Sequence, residues 1–114
     1  MGSFYRLQIQ CSAEQRQGLE RLLGASTDDP ALDRGWVIDE DAQGFAHALP
    51  LFLNLLTRHG DALAQLGVSG EQLTVWYCYE YEQQCNMAFE PDVLKQMGAL
   101  GVTLCISCWE NNPP

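Results

Sequence analysis

The sequence predicts an α+β fold: a mainly antiparallel sheet of about four to five strands with helices packed on one face. Three observations predict it. Alternation of apolar and polar residues over Phe4–Cys11, Gln72–Glu82 and Val102–Trp109 marks half-buried strands. Apolar stripes at helical spacing fill the stretches between them. Their order, strand, helix, short strand, helices, strand, strand, helix, strand, favours helices over a sheet rather than a pure bundle or sandwich. At 114 residues the chain is read as a single domain, 1–114, because a second core would need roughly 50 or more residues of its own.

Phe4–Cys11 places Tyr5, Leu7, Ile9 and Cys11 on one face, as a strand with one buried side requires. Ser12 followed by Gln15 has the spacing of a capping box. A helix is expected from there to Leu23, burying Leu19, Leu22 and Leu23 and stopping at Gly24, the residue type that most readily leaves the helical conformation. Residues 25–35 read as a loop rich in turn formers, and Trp36-Val37-Ile38 as a short strand. Phe45–Leu66 is helical in texture. Pro50 suits a first helical turn, with Leu51, Phe52, Leu55 and Leu56 as its stripe, His59-Gly60 as a terminus and Asp61 capping a second segment.

The strongest strand is Gln72–Glu82, with Leu73, Val75, Tyr77, Tyr79 and Tyr81 on one face and Thr74, Trp76, Cys78, Glu80 and Glu82 on the other. Residues 83–86 are expected to turn and Met87-Ala88-Phe89 to return as an antiparallel partner. Glu90-Pro91-Asp92 opens a helix, with proline at the first turn and acids near the positive end of its dipole. Its expected stripe is Val93, Leu94, Met97 and Leu100, its stop is Gly101, and Val102–Trp109 is the last strand. The second sheet face then carries Trp76, Cys78, Glu80 and Glu82 beside Cys105, Ser107 and Trp109. Indoles beside carboxylates on an open sheet face point to a covering partner; the competing reading is a lid made by the chain's own 25–44 loop.

Fifteen acids against six bases give a net charge of −9. Nucleic-acid and anionic-membrane binding both need cations, so neither is expected. No apolar run approaches the roughly 18 residues of a membrane span, and Met1–Arg6 lacks signal-peptide character; the expected location is the cytoplasm. The acids crowd between Asp28 and Asp41, with Arg34 the single base among Asp28, Asp29, Asp33, Asp39, Glu40 and Asp41. Their spacing fits no calcium loop, and they read as a solvated loop or as a surface that steers a basic partner.

Five cysteines, Cys11, Cys78, Cys85, Cys105 and Cys108, form no disulfide framework and read as reduced thiols. Cys105 and Cys108 match C-x-x-C, but residues three apart on a strand point to opposite faces. Zinc held by Cys85, Cys105 and Cys108 remains a third reading, lacking a fourth ligand at a recognised spacing. No nucleophile elbow, phosphate loop or H-E-x-x-H occurs. Glu80 and Glu82, roughly 7 Å apart along one strand face, could serve acid–base work on a sugar. His47 and His59 carry no context of their own. The chain is expected to bind rather than catalyse, with no cofactor; the alternative is a small ligand-binding domain or enzyme using a pocket between sheet and helices lined by Glu or Cys.

From Asp61-Ala62-Leu63 through Trp76–Glu82 to Met87–Leu94 and Leu100–Trp109, the pattern resembles an uncharacterised bacterial family of small single-domain proteins, over roughly residues 36–110. That resemblance implies no catalytic residues. In size, charge and fold class the chain also resembles immunity proteins, which bind bacterial toxins and block their active sites. By that analogy it would neutralise a cognate, basic toxin or secreted effector by occlusion, as monomer or homodimer. Asp39, Glu40 and Asp41 would steer, and Trp76, Glu80, Glu82 and Trp109 would make contact, aromatic anchors within an acidic rim.

Overall fold

Alternation in the strand segments and the fully buried side chains of Leu7, Ile9, Trp36 and Val75 set the framework of the computed structural model, which describes residues 4–27, 34–40, 45–81 and 87–110. The strands are β1 (Phe4–Ile9), β2 (Trp36–Glu40), β3 (Leu73–Tyr81) and β4 (Thr103–Glu110), and the helices are α1 (Ala13–Leu23), α2 (Phe45–Arg58), α3 (Gly60–Gln65) and α4 (Pro91–Leu100). Among the described residues they form one four-stranded sheet in the order β2-β1-β3-β4. β1 pairs antiparallel with β2 and with β3, whereas β4 pairs parallel with β3.

Local signals set the helix ends. Ser12 Oγ accepts the Gln15 N–H and Gln15 Oε1 accepts the Ser12 N–H, both at 3.1 Å, completing a capping box that starts α1. Pro91 opens α4, and Gly101, at φ 70°, ends it in the left-handed conformation that costs glycine least. A short 3-10 turn at Gly70–Gln72 leads into β3.

The core lies on one sheet face. Tyr5, Leu7, Ile9, Trp36, Leu73 and Val75 from the strands meet Leu19 of α1, Leu49, Phe52, Leu53 and Leu56 of α2, Leu63 of α3 and Met97 of α4. Trp36 also donates its indole N–H to the Gly24 carbonyl at 2.9 Å. Gly35 turns the chain into β2 at φ 80°; a Cβ there would sit 2.2 Å from the Ile9 carbonyl oxygen, so only glycine allows this approach of the chain to β1.

Several expectations are corrected. Residues 87–90 form no strand; β3 takes its second partner from β4, brought alongside by the α4 crossover, since parallel strands need such a connection. Pro50 lies inside α2, which starts at Phe45, with its ring on the exposed side. The buried stripe of α2 is correspondingly Ala48, Leu49, Phe52, Leu53 and Leu56, while Leu51 stays 46% exposed. α3 starts at Gly60 after His59, with no side-chain cap from Asp61. Leu94 of α4 stays 49% exposed. Among the described residues, no helix is long and apolar enough to cross a membrane.

Candidate functional site

Strand register carries the open face of the sheet in cross-strand rows. Val37, Gln8, Thr74 and Thr103 share one row, and Asp39, Arg6, Trp76 and Cys105 the next. Phe4, Cys78 and Ser107 follow, and then Glu80 beside Trp109 at the C-terminal ends of β3 and β4. The sequence-predicted Trp76, Glu80 and Trp109 are therefore brought together on one face, with Asp39 in the Trp76 row. Glu40 belongs to the other parity, opposite Tyr5, so it stands at the same end of the sheet but on the helix side. Asp41 and Glu82 lie outside the described residues, as do Asp28, Asp29, Asp33 and Cys85.

The two halves of this face differ. On the β2–β1 side, Val37 is fully buried and Gln8 is 8% exposed. The described ends of the 25–35 segment are anchored there. Val37 N–H donates to Ser26 Oγ at 3.0 Å, Thr27 N–H donates to the Val37 carbonyl at 2.8 Å, and Gln8 Nε2 donates to the Arg34 carbonyl at 2.9 Å. On the β3–β4 side, Trp76, Glu80 and Cys105 are half-buried, Ser107 is exposed, and Trp109 is 42% exposed. The described residues of this face are thus buried at Val37, Gln8 and Cys78 and accessible at Asp39, Ser107 and Trp109.

Residues that the sequence did not single out organise the border between the halves. Arg6 grips Asp39 through two hydrogen bonds, Nε to Oδ1 at 2.7 Å and Nη2 to Oδ2 at 3.1 Å, and its guanidinium lies 5.3 Å from the centroid of the Phe4 ring. Bidentate geometry of this kind fixes both side chains, so the Asp39 charge is balanced locally and steers less than its sequence context implies. Trp76 Nε1 donates to Gln8 Oε1 at 2.8 Å, which orients the indole. Arg6, Gln8, Gln10, Arg34, Trp76, Cys78 and Ser107 line a shallow groove of about 360 Å³. The signal for it was the polar alternation Arg6, Gln8, Gln10 along β1 and just past its end, whose meaning depended on which face the helices left open.

Burial pushes the Cys78 thiol above its ordinary pKa; Arg6 pulls it down, and Asp39 and Cys105 push it further up. A thiol kept protonated is a poor nucleophile. Cys105 falls opposite Trp76 and Cys108 opposite Tyr79, so the C-x-x-C pair straddles the sheet as the strand period requires. Among the described residues, no group of three His, Cys, Asp or Glu side chains is placed to hold a metal ion.

Between the sheet and α2, a second pocket of about 280 Å³ is lined by Ile38, Glu40, Leu51, Phe52, Asn54, Leu55 and Arg58. It is the sheet–helix cavity with a carboxylate that a ligand-binding domain would need. Compared with known proteins, the chain matches no family model, no curated protein and no solved structure.

Proposed function

We propose that this protein is an acidic, non-catalytic binding protein of the immunity type, which docks a basic bacterial toxin or secreted effector on the β3–β4 half of its open sheet face and occludes that partner's active site. The carrying observation is the contrast within the face: Val37 and Gln8 on the β2–β1 side are buried, whereas Trp76 and, two rows further on, the Glu80–Trp109 pair stay accessible on the other. Accessible indoles, one of them (Trp109) beside the Glu80 carboxylate, suit the anchor-and-rim pattern of protein interfaces. A net charge of −9 favours a basic partner and speeds its encounter. Glu40 and Glu110 extend the acidic rim at the same end of the sheet.

The test is capture of a stoichiometric basic protein from the native bacterium by the tagged chain, run beside Trp109→Ala and Glu80→Gln. Retention at about 0.3 M salt, with at least ~30-fold weaker binding for Trp109→Ala, is expected of a central aromatic anchor. Co-expression must also relieve the captured protein's toxicity. Capture indifferent to both substitutions refutes this placement of the interface. The second reading, a small-ligand domain, is favoured by the Glu40–Arg58 pocket; a metabolite whose binding is abolished by Glu40→Gln and untouched by Trp109→Ala would establish it instead.

A further inference from the structure

The two edges of the sheet are finished differently. β2 has five residues, ends in Asp39-Glu40, and has the outward N–H and C=O of Val37 satisfied by Ser26 and Thr27. Short length, charge and a covering segment are the usual means of blunting an edge. Among the described residues β4 is neither short nor covered, and its one charge is the terminal Glu110. It runs eight residues, Thr103–Glu110, without proline, and its first seven carry no charge. Among the described residues no segment pairs with its outer side.

We infer that β4 is a homodimerisation edge, pairing antiparallel with β4 of a second copy to make one continuous eight-stranded sheet. The inference goes beyond the partner reading and does not depend on it. Among the described residues, two of the four large exposed apolar side chains lie on this strand, Ile106 and Trp109, each 42% exposed, and a third, Leu94, 49% exposed, lies on α4. Ile106 is on the helix side of β4 and Trp109 on the open side, as their partners Tyr77 and Glu80 show. Leu94 stands on the flank of α4 turned away from α2, because Gln96, about 200° further round the helix, is the residue that meets Thr57 of α2. An added strand would therefore find apolar contacts on both faces.

The second copy fits in register and in charge. A two-fold axis perpendicular to the sheet at Ile106 sets Thr103 opposite the partner's Trp109, Leu104 opposite the partner's Cys108 and Cys105 opposite the partner's Ser107. Every pair then joins residues of the same face, as a continuous sheet requires. Glu110 falls opposite the partner's Val102, so no carboxylates confront one another. The antiparallel arrangement also puts the acidic ends of the two β3–β4 ribbons, Glu80 and Glu110, at opposite ends of the joint; a parallel one would stack them. An eight-residue strand is about 26 Å long. With side chains on both faces and the flank of α4, the joint hides roughly 500 Å² per copy, close to the ~1,000 Å² total at which specific interfaces begin. That size lies at the low end of specific interfaces, where weak and transient encounters fall.

Sedimentation equilibrium of the full chain from about 5 to about 500 μM is suited to weak self-association of this kind. It is run at about 0.3 M salt, where screening to ~6 Å mutes the repulsion between two acidic copies. The expected result is a reversible monomer–dimer equilibrium, with backbone amides of 103–109 exchanging more slowly at high concentration than at low. Ile106→Lys and, on the opposite face, Ser107→Lys each change an exposed side chain. Each should weaken the dimer at least ~30-fold, as charges on a pairing edge do, with circular dichroism unchanged. A chain that stays monomeric throughout overturns the inference. So does a dimer whose 103–109 amides exchange equally fast at both concentrations, or one that both lysine variants leave intact.

Discussion

Gln8 offers the sharpest test of how the open face is held together. It is 8% exposed, accepts the Trp76 indole N–H at 2.8 Å and donates to the Arg34 carbonyl at 2.9 Å. One amide thereby ties Trp76 of β3 to the Arg34 backbone just before β2. Gln8→Leu keeps the volume and removes both bonds. Each is worth about 1 kcal/mol net. The half-exposed indole of Trp76 recovers part of its loss by turning to water, whereas the Arg34 carbonyl recovers less. The expected cost is about 2 kcal/mol, or a melting temperature lower by roughly 8 °C in a domain of this size. A double-mutant cycle with Trp76→Phe, followed by urea unfolding, isolates the indole–amide bond and should return a coupling near 1 kcal/mol. Loss below about 0.5 kcal/mol for Gln8→Leu, or no coupling in the cycle, would mean that packing alone orients Trp76.

Two further predictions concern the frame beneath that face. Gly35→Ala should cost at least ~3 kcal/mol, combining a positive-φ penalty with a forced shift of backbone, because its Cβ would meet the Ile9 carbonyl oxygen at 2.2 Å. Gly60→Ala, where nothing lies within 4 Å, should be neutral or stabilising by about 0.5 kcal/mol; equal losses at the two sites would refute the account. The Cys78 thiol is pushed above its ordinary 9.0, chiefly by burial. As pH climbs, the unfolded chain then loses this proton first. Its contribution is full below pH 9 and declines above it. Urea midpoints for wild type should therefore fall more steeply above pH 9 than those for Cys78→Ala, and parallel curves would remove the effect. In peptide mapping after alkylation at neutral pH, Cys108 should react before Cys78.

What the sequence made legible is whatever depends on near neighbours in the chain. Ser12 and Gln15 announce the start of α1 because the capping box closes within three residues, and Gly101 announces the end of α4 because one residue must turn left-handed. Face assignment was legible for the same reason: alternation in β3 and β4 puts Trp76, Glu80, Cys105 and Trp109 together whichever way the strands run. Pairing was not. Met87-Ala88-Phe89 offered the shortest loop back to β3, and local connection is a fair expectation until a helix intervenes. Here α4 bridges instead, which makes β4 parallel and an edge. Likewise the Arg6–Asp39 pair joins residues far apart in sequence, so the acidic run around Asp39 looked like an uncompensated charge. The α2 stripe was misjudged because Pro50 drew the helix start forward; its ring sits on the exposed side of α2.

The partner site and the homodimer edge share one residue, and that makes their relation testable. Trp109 closes the open-face row with Glu80 and is also set against the partner's Thr103 in the proposed joint, so a basic protein that uses the Trp109 indole competes with the second copy. Trp76 is two rows away and stays on the face in either state. A two-fold axis perpendicular to the sheet turns both open faces to the same side, so a dimer would offer two Trp76 sites side by side rather than back to back. If the captured partner binds the dimer, its stoichiometry should be two per dimer with Trp76→Ala more damaging than Trp109→Ala. If it binds the monomer, added partner should dissolve the dimer, and Ile106→Lys, already monomeric, should bind more tightly than wild type at high concentration. Charge favours the second course: two copies of a chain carrying −9 repel one another, whereas a basic partner gains from the same field. On this argument β4 would serve as a weak self-seal, occupied by a second copy only until a basic partner displaced it.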